Sequence, residues 1–94
     1  MPEVLRLTLK REYFEQIANK QKHTEYRRRK PYWRKRLEGR KFDTILFRNG
    51  YGKNVPEMLV EFRGLSRAGE GRGAEYAIKL GRILKIKRWT RRLP

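Results

Sequence analysis

Val4-Leu5-Arg6-Leu7-Thr8-Leu9-Lys10-Arg11-Glu12-Tyr13-Phe14-Glu15-Gln16-Ile17-Ala18 changes its apolar period halfway along. Leu5, Leu7 and Leu9 alternate with polar residues, which is the pattern of a half-buried strand. From Lys10 onward the apolar positions become Tyr13, Phe14, Ile17 and Ala18, the stripe of a short amphipathic helix. That helix is expected to end near Asn19, a residue that tolerates a left-handed C-terminal conformation, with Tyr13 and Phe14 in the core. A strand feeding directly into a helix opens an α+β chain.

Working outward, Lys22 to Arg29 is β-compatible through Thr24 and Tyr26, and Pro31 then breaks it. Proline at a first helical position suits a short basic helix over Tyr32-Trp33-Arg34-Lys35-Arg36-Leu37, closed by Gly39. Phe42-Asp43-Thr44-Ile45-Leu46-Phe47 reads as a strand buried on both sides, and Asn49-Gly50 as the turn after it, extended by Gly52 and Pro56. Met58 to Arg63 is the next strand, and Gly64, Gly69, Gly71 and Gly73 mark a flexible connection. Glu75–Leu80 and Arg82–Lys87 are expected as two last short strands with Gly81 as the bend between them. The connections are too short for most parallel crossovers. The expected architecture is a small, mostly antiparallel β-barrel with one or two short helices, forming a single domain over residues 1–94 with a basic tail at 88–94.

The chain has no cysteine, so disulfides, thiolate zinc sites and a cysteine nucleophile are excluded. No apolar run approaches the ~18 residues of a membrane span, and no basic-then-apolar leader pattern is present, so a soluble, cytoplasmic protein without membrane contact is expected. The single histidine, His23, leaves no His-rich metal site, and Ser66 as the only serine supports no Ser/His/Asp arrangement. Arg67-Ala68-Gly69-Glu70-Gly71-Arg72-Gly73 lacks the order of a phosphate-binding loop and reads as a hairpin connection. The residues imply no cofactor and no metal.

The formal charge is +16, and its placement is uneven. Residues 1–19 and 42–78 are neutral, whereas 20–41 carry eleven bases against two acids and 79–94 carry seven bases against none. An ion-pair-rich surface would need acids nearby, so a polyanion partner is the better account of two such blocks. Single-stranded nucleic acid is held by bases stacked on aromatic faces and by cations along its backbone. Tyr26, Tyr32 and Trp33 stand among Arg27, Arg28, Arg29, Lys30, Arg34, Lys35 and Arg36, and Trp89 stands beside Arg88, Arg91 and Arg92. The competing reading makes Tyr32 and Trp33 core anchors of the short helix with only the cations exposed. Glu25 is ringed by Lys22, Arg27 and Arg28, which suits a structural ion pair first and a general base second.

Lys20-Gln21-Lys22-His23-Thr24-Glu25-Tyr26-Arg27, following a strand and a helix, resembles the ASCH-domain motif Gly-x-Lys-x-x-Glu-x-Arg at three of its four fixed positions. Phe47-Arg48-Asn49-Gly50-Tyr51 and Tyr76-Ala77-Ile78-Lys79-Leu80-Gly81 extend the resemblance over nearly the whole chain. It implies a PUA-like barrel with an RNA-facing cleft. By position it carries over to Lys22, Glu25 and Arg27 as candidate catalytic residues, and Asn49 and Tyr51 of the second matching stretch are candidate nucleic-acid contacts. Some ASCH relatives are ribonucleases, and others remove the acetyl group of N4-acetylcytidine. Two departures stand out: Lys20 replaces the glycine, and the segment that carries a catalytic acid in the amidohydrolases is here the short Arg67–Gly73 connection, with Glu70 its only acid.

In a regular strand Glu25 and Arg27 share a face while Lys22 points to the other, so their convergence requires a turn or bulge at Lys22. RNA is favoured over DNA by the resemblance, not by the charge. The alternatives are a nucleoside amidohydrolase using the same cleft, and a basic protein of a ribonucleoprotein or phage particle that merely neutralises packaged nucleic acid.

Overall fold

Alternation places Leu5 and Leu7 of β1 (Val4–Thr8) on the buried face, and the computed structural model, which describes residues 3–89, builds the domain around them. Helix α1 (Arg11–Ala18) follows at once and buries Phe14, Ile17 and Ala18. Strand β2 (Thr24–Arg28) leads into α2 (Pro31–Leu37), which has proline in its first turn and buries Leu37. Gly39, at φ +75, ends this helix segment as the sequence implies. Strand β3 (Thr44–Arg48), the long β4 (Glu57–Ala68) and β5 (Glu75–Lys87) complete the elements among the described residues, with a 3-10 turn at Gly71–Gly73.

The five strands form one mixed sheet in the order β1-β3-β4-β5-β2, curled into a half-barrel. Three of the four pairings are antiparallel, and β1 lies parallel to β3 with Leu5 opposite Ile45 and Leu7 opposite Phe47. That parallel pair is joined by no short loop. Its connection is the whole of α1, β2 and α2, long enough for a crossover. The core is a single cluster in which Leu5, Leu7, Phe14 and Ile17 meet Ile45, Phe47, Met58, Val60, Tyr76 and Ile78.

Several expectations are corrected by the β4–β5 hairpin. Glu75–Lys87 is one strand, not two, and β4 runs through Gly64 to Ala68, reducing the flexible connection to the residues between Ala68 and Glu75. Register shifts between Leu59 and Val60, Val60 and Phe62, and Phe62 and Gly64 bend the ladder without ending it. Gly64, at φ +147, takes a conformation that L side chains rarely adopt. Gly81 lies directly under the Arg63 side chain, with which a Cβ there would collide. These glycines mark bulges in a continuous strand pair, and the bend lets one hairpin serve both halves of the sheet. Its Glu57–Glu61 end pairs with β3, and its Glu75–Lys79 end pairs with β2.

Strand β3 is buried on one face only: Ile45 and Phe47 are covered, while Leu46 is half-exposed. Phe42 is buried but precedes the strand. Tyr13, expected in the core, is 39% exposed. Helix α1 ends at Asn19, but Asn19 has φ −86, and the left-handed residue is Lys20 at φ +62. Its neighbours close the end of the helix, with the amides of Gln21 and Lys22 both donating to the Gln16 carbonyl at 2.8 and 3.2 Å.

Candidate functional site

Strands β1 and β2 are the two edges of the sheet, and the half-barrel leaves an open seam between them. A cleft of about 730 Å³ lies along it. One wall comes from β1 and the start of α1, with Arg6, Thr8, Lys10 and Tyr13. Strand β2 and the chain just before it supply Lys22, Glu25, Tyr26 and Arg27. Helix α2 adds Tyr32, Trp33 and Arg36, and the β3–β4 loop adds Tyr51, which is 90% exposed.

At the base of the cleft Glu25 is 3% exposed, and both carboxylate oxygens hold cations. The Lys22 ammonium donates to Oε1 at 2.7 Å, and the Arg27 guanidinium donates to Oε2. Strand alternation would have sent Lys22 away from Glu25. Lys22 escapes it because β2 begins only at Thr24, after the turn that Lys20 makes at φ +62. A buried carboxylate needs such partners, since an unpaired buried charge is costly. With a cation on each oxygen, Glu25 orients Lys22 and Arg27 toward one point. Lys22 keeps donor capacity beyond this one bond, because an ammonium has three hydrogens.

Arg27 does more than neutralise Glu25. Its Nη2 donates to the Thr8 carbonyl at 3.2 Å, tying β2 to β1 across the seam. Its guanidinium also lies over the Trp33 ring, 5.3 Å from the centroid. Tyr32 meets Trp33 edge-on at 5.0 Å, and Arg36 covers Tyr32 at 4.7 Å. On the other side the Lys22 ammonium lies over Tyr13 at 4.6 Å. A continuous run of aromatic and charged groups therefore lines the cleft from Tyr13 to Arg36.

The residues singled out from the sequence divide among several surfaces. Lys22, Glu25, Arg27, Tyr32, Trp33, Arg36 and Tyr51 share the cleft. Trp33 is half-buried against the core, whereas Tyr32 is 57% exposed. Arg28, Lys30 and Lys35 are exposed outside it. Arg29 and Arg34 line a separate hollow with Arg67 and Glu38. Asn49 is tied down, its side-chain amide donating to the Leu9 carbonyl at 3.1 Å. Arg88 donates to the Val55 carbonyl at 2.9 Å, and Trp89 packs edge-on to Phe14 at 6.4 Å. Arg91 and Arg92 lie outside the described residues.

Sequence reading missed Arg6, Lys10 and Tyr13 as cleft residues. Their strand and helix were recognisable, but no local signal says that β1 ends at a sheet edge facing β2. Beside the other hollow, the buried Tyr76 hydroxyl donates to Glu38. That hydrogen bond, followed by the arginines around it, holds the Glu38 carboxyl below the usual range, while burial and Glu38 push the Tyr76 phenol up. Among the described residues no three His, Cys, Asp or Glu side chains gather as a metal site would require, and no helix is long and apolar enough to cross a membrane. Comparison of the chain with protein-family models, curated proteins and solved structures finds no match.

Proposed function

We propose that the chain is an ASCH-type, PUA-like domain that binds RNA in the seam cleft, with Lys22 and Arg27 meeting a phosphate and Tyr32 offering its face to a base. The observation that carries this reading is the meeting of Lys22 and Arg27 on the buried Glu25 carboxylate. Three side chains spaced along the motif converge on one point through a turn that a plain strand lacks. The family reading draws further support from Lys20. It stands where the motif has glycine, and its φ of +62 is one that glycine adopts without steric penalty. The cations and aromatics along the cleft suit a single-stranded polyanion with stacking bases.

Cleavage of the bound strand would use Lys22 and Arg27 to stabilise negative charge gathering on the phosphate, with Glu25 holding both in place. The amidohydrolase alternative is weaker. Among the described residues Glu25 is the one carboxylate lining the cleft, both its oxygens hold cations, and Glu70 is not part of the lining.

The test is binding and cleavage of RNA and DNA oligonucleotides across a salt series by the wild type and Lys22→Ala, with mass analysis of N4-acetylcytidine in parallel. RNA affinity should fall steeply with salt, by a log–log slope of about −0.7 for each single-strand phosphate engaged. Lys22→Ala should weaken it further. Salt-independent binding, or RNA handling that Lys22→Ala leaves untouched, would refute the assignment, and loss of acetyl from the nucleoside would favour the amidohydrolase.

A further inference from the structure

Lys22 forms a wall between two hollows. Behind it, away from the seam, lies a second one of about 430 Å³ whose rim carries Lys20, Lys22, His23, Arg63 and Arg82. Its floor is apolar, built from Ile17, Leu80 and Ile83. No acid lines it. Glu61 sits at its margin, holding Arg63 at 2.9 Å and Arg82 at 3.5 Å, and accepting the Arg82 amide at 2.9 Å. Both arginine side chains remain largely exposed, with Glu61 as their shared partner. This hollow is also where the two basic blocks meet: Lys20, Lys22 and His23 come from the first block or its single imidazole, and Arg82 from the second. Residues 79–89 contribute nothing to the lining of the seam cleft.

Lys20 enters this rim in a conformation that costs it. A non-glycine residue at φ +62 is strained relative to glycine, so glycine would be the easier choice for the turn. Glycine would bring no charge to the rim.

We infer that this hollow is a second nucleotide subsite, in which the apolar floor receives a base and the cations of Lys20 and Arg82 hold the adjoining phosphate of the strand that occupies the seam cleft. The inference rests on the nucleic-acid reading of that cleft. Lys22, shared by both hollows, sets the path of the strand from one to the other. A dinucleotide fills the cleft alone, and a longer strand reaches both.

Lys20→Gly separates binding from folding, because it removes the charge while relieving the backbone. The thermal midpoint of the variant should equal or exceed that of the wild type. Its affinity for a decameric oligoribonucleotide should fall several-fold, and its affinity for a dinucleotide should stay unchanged. Arg82→Gln should repeat the length-dependent loss. Equal losses for both lengths, or no loss for the decamer, would overturn the subsite. If the wild type binds neither oligonucleotide, the reading of the cleft fails, and inorganic pyrophosphate titrated against the wild type then decides the hollow alone. Amide resonance shifts confined to residues 20–23 and 80–83 would sustain an anion site there, and their absence would overturn it.

Discussion

Arg27 of β2 donates to the Thr8 carbonyl of β1 at 3.2 Å, so a side chain spans the seam where a closed barrel would carry a backbone ladder. The same guanidinium neutralises Glu25 and covers Trp33. One residue thus holds the sheet edges in relation to each other, fixes the charge at the base of the cleft and positions α2.

Arg27→Met should therefore destabilise the fold by about 2–4 kcal/mol, near the range for breaking a buried pair and leaving its partner under-compensated. Urea denaturation measures it. Arg27→Lys should recover only part of the loss, since an ammonium cannot serve the carboxylate, the carbonyl and the ring together. A wild-type urea midpoint in Arg27→Met would mean that the seam is held by something else.

Tyr32 and Trp33 are adjacent and in contact, yet their substitutions should separate. Tyr32→Ala, at a largely exposed ring, should change stability by less than about 0.5 kcal/mol and cost about 1–3 kcal/mol of oligonucleotide affinity if a base stacks there. Trp33→Ala removes a ring packed on the core and should lower stability by about 2 kcal/mol, less than the cost at a fully buried site. Equilibrium unfolding and fluorescence-anisotropy titration on the same two proteins would check both halves.

The Glu38–Tyr76 hydrogen bond should shape the pH dependence of stability. Glu38 has a lowered pKa in the fold, so its contribution is present above the unfolded carboxylate pKa and is lost as pH falls through the folded value. Tyr76 has a raised pKa, so its contribution is present below the unfolded phenol pKa and is lost as pH rises through the folded value. Urea midpoints measured from acid to alkali should fall at both ends, and Tyr76→Phe should flatten both limbs. An acid limb unchanged in Tyr76→Phe would show that other carboxylates set it.

Gly64→Ala should cost about 1–3 kcal/mol, because φ +147 is foreign to an L residue and the bulge that curls the hairpin depends on it. Gly73→Ala is the control: its φ is ordinary, and open space surrounds the added methyl. The two thermal midpoints, compared directly, test whether the bend is built on Gly64.

The local elements could be read from residues wherever a period was clean. Leu5, Leu7 and Leu9 announced β1, Phe14 and Ile17 announced α1, and Pro31 with Gly39 framed α2. Reading failed where a glycine had two meanings. Gly64 and Gly81 look like breaks along the chain, but a partner strand continuing past both turns them into bulges, and only pairing between β4 and β5 reveals that. Tyr13 failed for a related reason: a helical stripe marks an apolar face but does not say where the sheet beneath it stops.

Composition and spacing alone established the charge of the chain, its gathering into two blocks, and the Lys22, Glu25 and Arg27 pattern, because these are properties of order along the chain. Their placement came from the fold. The turn at Lys20 swings Lys22 back onto Glu25, the crossover from β1 to β3 sets β1 at one edge of the sheet and leaves β2 at the other, and the gap between those edges becomes the cleft. Sequence order cannot carry that information, since residues as far apart as Thr8, Arg27 and Tyr51 become neighbours only when the sheet curls and stops short of closing.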